Sequence, residues 1–354
     1  MATNPKREKA SARGARPATM ADVAKMVGVS RQLVGLVFSG QPGVGAETEA
    51  RIRAAAKEIG YRPNLAAQSL RADATKTIGL MFHPAESSMT ELLPALSSEA
   101  RSANLDLVLA AVDEDHDENA AVEGLLGHRV NGLIIVGSHL SVTRLQKLAR
   151  EVPLVSIGRR LDKVRCGVVS SHGEVGVDSA VEYLIGLGHR EIAYVIGVDM
   201  LDAEFRLAGY EKAMRRHGLP LDVVRVSGDF AERGGALAAD QMLKRKGLPT
   251  AIVCNNDQSA AGLTHRMLQA GVRFPEDVSV VGYDDTLARY PYLNFTTVRQ
   301  DHKELAAAAI LDLTARIRGE KYMSQTYLTS SKLIIRTSTS KPNHESKFRV
   351  KPSK

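Results

Sequence analysis

Two rhythms of apolar residues divide the chain. Up to about residue 60 they recur at helical spacing; from residue 77 onward, short continuous apolar runs alternate with longer amphipathic stretches. In "TMADVAKMVGVS", Val23, Ala24 and Val27 share one helix face. Thr19 is placed to cap that helix, Asp22 to answer it, and Gly28 to end it in a left-handed conformation. Val29 then fills a tight turn and Ser30 caps a second helix, "RQLVGLVFS". There Val34, Val37 and Phe38 point inward, which leaves Arg31, Gln32, Gly35 and Leu36 outside. A third helix, "AETEARIRAAAKEIGY", draws its apolar side from Ala50, Ile52, Ala56 and Ile59. Pro63 breaks the chain, and Asn64 can cap a short helix over Leu65–Leu70 that is too short to stand alone in water.

Beyond residue 77 the runs "TIGLMF", "LDLVLAAV", "VNGLIIVG", "VPLVSIG", "CGVVSS", "REIAYVIG", "TAIVCNND" and "VSVVGYDD" predict buried strands separated by helices. That alternation makes parallel sheets in an α/β fold, and the strand count exceeds one ordinary sheet, so two lobes are expected. Ligands in such sheets lie beyond the carboxyl ends of the strands. This singles out His83, Asp113, Gly137-Ser138, Gly158-Arg159, Asn256-Asp257 and Asp284-Asp285. Asn256 and Asp284 can also serve simply as helix caps, and Arg206 as the partner of Glu204. No nucleophile elbow, phosphate-binding glycine loop or metal spacing emerges, so no catalytic residue, cofactor or metal is predicted. His189 reads as a closure of a helix–strand turn.

Charge adds a direction. Residues 1–76 carry a net +7 and residues 341–354 a net +4, whereas 77–340 carry −4. A basic head on a near-neutral body suggests that one module meets a polyanion and the other does not. Two short helices across a glycine turn are a helix-turn-helix, whose second helix enters the DNA major groove. The basic N-terminus lacks the apolar core of a secretory signal, no run is long enough to span a bilayer, and Cys166 and Cys254 form no framework. A cytoplasmic protein is expected.

The stretches "MADVAKMVGVSRQLVGLVF", "VGAETEARIRAAAKEIGYRPNLAAQSLR", "LIGLGHREIAYVIG" and "GVRFPEDVSVVGYDDTLARYPYLNFTTVRQD" resemble the lactose-repressor (LacI/GalR) family. The resemblance implies a helix-turn-helix head, a hinge helix and a core like that of periplasmic sugar-binding proteins. It places Ser30, Arg31, Gln32, Gly35 and Leu36 at the major groove, and Thr19, Thr48, Tyr61 and Asn64 at the DNA backbone. Ala67 and Leu70 fall at the minor groove. His83, Ser138, Arg159, Arg206, Asn256 and Asp284 fall at the effector site. The chain departs from the family at Gly35 and Leu36, which replace a phosphate-contacting hydroxyl and a base-contacting cation. Either Leu36 reads a thymine methyl or it belongs partly to the core of the head. Gly158, Ser171 and His172 stand where Asp, Asp and Asn are usual. That leaves open a sugar effector, or an acidic or phosphorylated one meeting Arg159 and Arg206.

The expected organisation is an all-α helix-turn-helix head of three helices plus a hinge helix, joined to a two-lobed α/β core. The segments are a disordered basic arm (1–18), the head (19–62), hinge and linker (63–76), the core (77–340) and a disordered basic tail (341–354). Lobe 1 takes about 77–173 and 302–328; lobe 2 takes about 174–301 and 329–340. The function expected is a homodimeric, sequence-specific transcriptional regulator, a repressor, on a palindromic double-stranded operator. A small sugar-like effector between the lobes controls it, with no membrane partner and no tail-made tetramer. The alternatives are a non-transcriptional sugar-binding protein and an enzyme on the α/β core.

Overall fold

The computed structural model describes Arg16 and residues 18–39, 41–62, 76–113, 115–161, 163–197, 203–226, 232–320 and 326–343. The expected hinge helix, with Asn64, Ala67 and Leu70, lies outside these residues, as do nearly all of the arm and most of the tail. The chain divides into two compact units, a head before Lys76 and a core from Lys76 onward.

The head has three helices, α1 (Met20–Val27), α2 (Arg31–Ser39) and α3 (Ala46–Glu58). The Asp22 carboxylate accepts from the Thr19 N–H at 2.8 Å and the Thr19 hydroxyl at 2.6 Å, which fixes the start of α1. Gly28 ends it at φ 76°, where a side chain would be strained. Ser30 Oγ accepts from the Leu33 N–H at 3.1 Å and starts α2. Val23, Val34, Val37 and Ile52 are buried between the helices. Ala50, expected on the inner side of α3, is exposed, and Ala55 is buried instead. The reason is spacing: Ile52, Ala55, Ala56 and Ile59 follow i, i+3, i+4, i+7, while Ala50 lies two residues from Ile52 on the far side.

The core holds two six-stranded sheets. The first contains β1 (Thr77–Phe82), β2 (Asp106–Ala111), β3 (Leu133–Val136), β4 (Leu154–Ile157), β5 (Gly167–Ser171) and β11 (Tyr327–Thr329), in the order β11-β5-β4-β3-β1-β2. The second contains β6 (Ile192–Gly197), β7 (Asp222–Val226), β8 (Ala251–Cys254), β9 (Ser279–Asp284), β10 (Thr296–Gln300) and β12 (Ser331–Ile334), in the order β12-β10-β9-β8-β6-β7. All pairings are parallel except β10–β12. Only Ser330 separates β11, in the first sheet, from β12, in the second.

In lobe 1, α4 (Met89–Ser102) and α11 (His302–Arg318) cover one face; α5 (Glu118–Gly127) and α6 (Val142–Glu151) cover the other. In lobe 2 the layers are α7 (Gly173–Leu187) with α8 (Ala203–Arg216), and α9 (Glu232–Leu243) with α10 (Asp257–Gln269). The polypeptide crosses between lobes after β5, after β10 and between β11 and β12. Buried faces on both sides of each sheet explain the continuous Val/Ile/Leu runs. Strands β7, β10, β11 and β12 were not foreseen. Three are sheet edges, and β10 carries Thr296, Thr297, Arg299 and Gln300 rather than a run of aliphatic residues.

Candidate functional sites: a recognition helix and an interlobe cleft

On the head, Ser30, Arg31 and Gln32 are exposed at the start of α2. Gly35 and Leu36 are half-buried, and Leu36 is not among the side chains packed on the core of the head, whereas Leu33 is. Thr19, Thr48 and Tyr61 are half-buried. The Tyr61 ring meets Phe38 edge-on at 5.4 Å. Arg51 and Arg53, on α3, are partly committed to structure. They donate to the carbonyls of Val27 at 3.1 Å and Val37 at 3.3 Å, satisfying the ends of α1 and α2.

In the core, a cleft of ≈ 870 Å³, counted with its open mouth, lies between the lobes. Of the predicted effector residues, Ser138, Arg159, Arg206, Asn256 and Asp284 line it; His83 does not. The cleft also draws in Glu86, Ser87, Gln258, Gln300 and His302, which sequence reasoning missed. Gln300 and His302 sit at the end of β10, so recognising that strand would have flagged them by the strand-end rule.

The lobe 1 wall is organised by Glu118, at the start of α5. Its carboxylate accepts from the Ser138 hydroxyl at 2.7 Å and from the N–H groups of His139 at 2.7 Å and Leu140 at 2.9 Å. His83 Nε2 lies 3.0 Å away, which is why His83 is turned from the cleft. Burial opposes ionisation of Glu118, but the bonds from His83, His139 and Ser138 outweigh it and hold the group at about 2. The Arg159 guanidinium donates to the carbonyls of Ser138 at 2.9 Å and Leu140 at 2.6 Å. The sequence hid Glu118 inside the acidic run "DEDHDE", which reads as a solvated surface.

The lobe 2 wall is built differently. Arg206, on α8, stacks over the Tyr283 ring at 3.8 Å and donates to the Asn255 carbonyl at 2.7 Å. Its Nη2 lies 4.0 Å from Asp284 Oδ1, and Gln300 donates to the same oxygen at 2.6 Å. Glu204, the alternative partner of Arg206, is engaged by Arg225 at 2.9 Å. Asp284 and Asp285 have φ of 101° and 57°, a conformation costly for residues other than glycine. Buried Asp257 holds this turn, accepting from the N–H groups of Thr286 at 2.8 Å and Ala288 at 3.0 Å. Arg299 and Arg336 hold Asp285, each at 2.6 Å. Burial, opposed by Arg206 and His302, raises the Asp284 carboxyl. Burial and the neighbouring Asp284 push Asp257 up to about 7. His302 is held toward its neutral form by burial, and its Nε2 has no hydrogen-bond partner among the described residues. Asn256 does act as a cap, accepting from the Ser259 N–H at 2.8 Å, and it lines the cleft as well.

Interlobe bonds close one side of the cleft. The Ser87 N–H donates to Gln258 Oε1 at 3.0 Å, Gln258 Nε2 to the Ala85 carbonyl at 3.1 Å, and Thr286 Oγ1 to Ser87 Oγ at 2.9 Å. Arg289 pairs with Glu91 beside them.

A helix-turn-helix with an exposed polar recognition face, on a chain whose two α/β lobes enclose a polar cleft, defines a ligand-responsive DNA-binding regulator. Comparison with known proteins agrees. Residues 19–64 match the model of bacterial regulatory proteins of the lacI family, and residues 181–339 match the periplasmic binding protein-like domain. The ribose operon repressor of Escherichia coli (strain K12) is 33% identical over 85% of this chain and 93% of its own length. The lactose operon repressor of the same strain is 31% identical over 93% of this chain and 92% of its own. A crystal structure of the lac repressor dimer bound to operator and the anti-inducer ONPF covers 92% of this chain and 100% of its own, at TM-score 0.80 and 30% identity. The chain belongs to the lacI family of bacterial regulatory proteins and is a DNA-binding transcriptional regulator.

Proposed function

We propose that the protein is a cytoplasmic homodimeric repressor that grips a palindromic operator and is controlled by a small, neutral, sugar-like metabolite. Arg31 and Gln32 contact base edges, and Leu36 takes a thymine methyl by apolar contact. Ser30, Gly35, Thr19, Thr48, Tyr61 and Asn64 approach the backbone and groove edges, and Ala67 and Leu70 the minor groove. Ser138, Arg159, Arg206, Asn256 and Asp284 hold the effector, with Gln300 and His302 added to the set. Operator DNA places such a protein in the cytoplasm. It acts by binding, without a catalytic step, as do the regulators it is related to.

One observation carries the reading: buried polar groups from both lobes converge on one cleft, with Arg206 and Asp284 opposite the Glu118-ordered wall. A ligand that touches both lobes stabilises one interlobe angle over another, which is the differential affinity that allostery requires. The neutral class is favoured over a phosphorylated one by two contacts. Arg159 is turned onto two backbone carbonyls, and the charge of Arg206 is partly answered by Asp284.

The test is selection of bound duplexes from a random pool, repeated with ribose, other free sugars and sugar phosphates. We expect one palindromic motif, with occupancy changed by a free sugar. Absence of any preferred duplex over competitor at moderate ionic strength, with or without metabolites, would overturn the proposal.

A further inference from the structure

The core carries a second charged feature, away from the cleft. An open groove runs between the last turn of α6, the start of β4 and the segment leading into β5. It is lined by Arg150, Lys163, Arg165 and Arg316, with Glu151 as the one acid among its described lining residues. Glu151 lies 3.9 Å from Lys147, and Arg316 is held by buried Asp312 at 2.7 Å. Arg150 and Lys163 are exposed and form no ion pair with described residues. This concentration runs against the net charge of −4 over residues 77–340.

Its place follows from the sheet register. Gly79 pairs with Leu133, and Leu133 with Leu154. Two strand spacings, about 10 Å, therefore separate the head of β4 from the head of β1. Strand β1 begins at Thr77, immediately after the chain arrives from the head. The groove thus lies at the end of the core where the chain of that unit begins. Its cations stand side by side on an open surface rather than around an enclosed pocket, which suits a row of phosphates better than one small anion.

We infer that this groove is a second contact for the DNA backbone, carried by the core and engaging duplex that flanks the sequence held by the heads. The inference rests on the operator-binding reading. Each phosphate neutralised on B-DNA contributes about 0.9 to the slope of log affinity against log salt.

The experiment uses the full chain and the duplex selected above, in two lengths: the selected site alone, and the site flanked on each side by about two helical turns (roughly 20 base pairs). Wild type is compared with Arg150→Ala/Lys163→Ala, and thermal unfolding checks that both are folded. On the long duplex the variant, which loses two cations from each protomer of the dimer, should show a salt slope shallower by about 3.6, so that wild type loses roughly 150-fold more affinity between 50 and 200 mM salt. On the short duplex the two should coincide. Equal slopes on the long duplex, with sequence selection intact, overturn the groove alone. An equal change on both lengths overturns the flanking contact. Shifts of the Lys163 side-chain signal with inorganic phosphate, without any dependence on duplex length, assign the groove to a small anion instead. If wild type selects no duplex, the operator reading and this inference fall together.

Discussion

The two walls of the cleft solve the same problem in opposite ways. In lobe 1 the buried carboxylate of Glu118 meets enough donors to stay ionised, at about 2. In lobe 2 the carboxylates of Asp257 and Asp284 crowd one another behind a single guanidinium, and both are pushed upward, Asp257 to about 7. A satisfied carboxylate fixes its surroundings; in lobe 2 Asp257 is likewise held, by Thr286, Ala288 and Thr297, and of the two aspartates Asp284 is the one that lines the cleft. Lobe 1 thus presents a preset surface, whereas lobe 2 presents Asp284, and beside it stands His302, whose Nε2 has no hydrogen-bond partner among the described residues.

Arg206→Ala breaks this comparison most severely. It leaves Asp284 without its cation, a change that typically costs about 3–5 kcal/mol at a buried pair. Effector affinity measured by calorimetry should fall at least about 100-fold, while the affinity of the free protein for its operator stays within a few-fold.

Unfolding followed across pH sharpens the contrast next. Glu118 is depressed from 4.5 to about 2 on folding. Its contribution, about 3 kcal/mol, is therefore complete above pH 4.5 and lost as pH falls toward 2. Glu118→Gln should remove that acid arm. Asp257 is raised from 3.8 to about 7, so its contribution is complete below pH 3.8 and is lost as pH rises through 7. Asp257→Asn should remove that second slope and leave the first. Slopes of the same sign for both residues would contradict the assignment.

Gln258→Ala tests the bonds between the lobes. Losing its contacts to Ser87 and Ala85 should weaken effector binding by about 1 kcal/mol, roughly fivefold. Gly35→Ala gives the smallest effect. A methyl at that position would meet Met20 Sδ at 3.8 Å, an ordinary contact. The substitution should stabilise the head by up to about 1 kcal/mol in thermal unfolding, since glycine is a poor helix former.

Legibility in the sequence followed local physics. The three helices of the head were readable because caps, the left-handed Gly28 and the i, i+3, i+4 spacing all act within a few residues. The eight aliphatic strands were readable because burial on both faces demands continuous apolar runs. Arg206, Asn256 and Asp284 emerged from strand ends and family resemblance. The missing parts depend on distant partners. Glu118 gains its role only when the ends of β1 and β3 bring His83 and Ser138 to it. His302 lines the cleft only because β10, rich in threonine and disguised as a loop, is an inner strand. The edge strands β7, β11 and β12 lack the apolar signal that central strands require.

The most direct measurement is the equilibrium affinity of the full chain for its selected operator, with and without the sugar found in the panel. Wild type should change by about 5- to 150-fold, corresponding to about 1–3 kcal/mol of coupling, and Arg206→Ala almost not at all. An equal ligand-induced change in both proteins would show that the cleft between the lobes is not where the controlling metabolite binds.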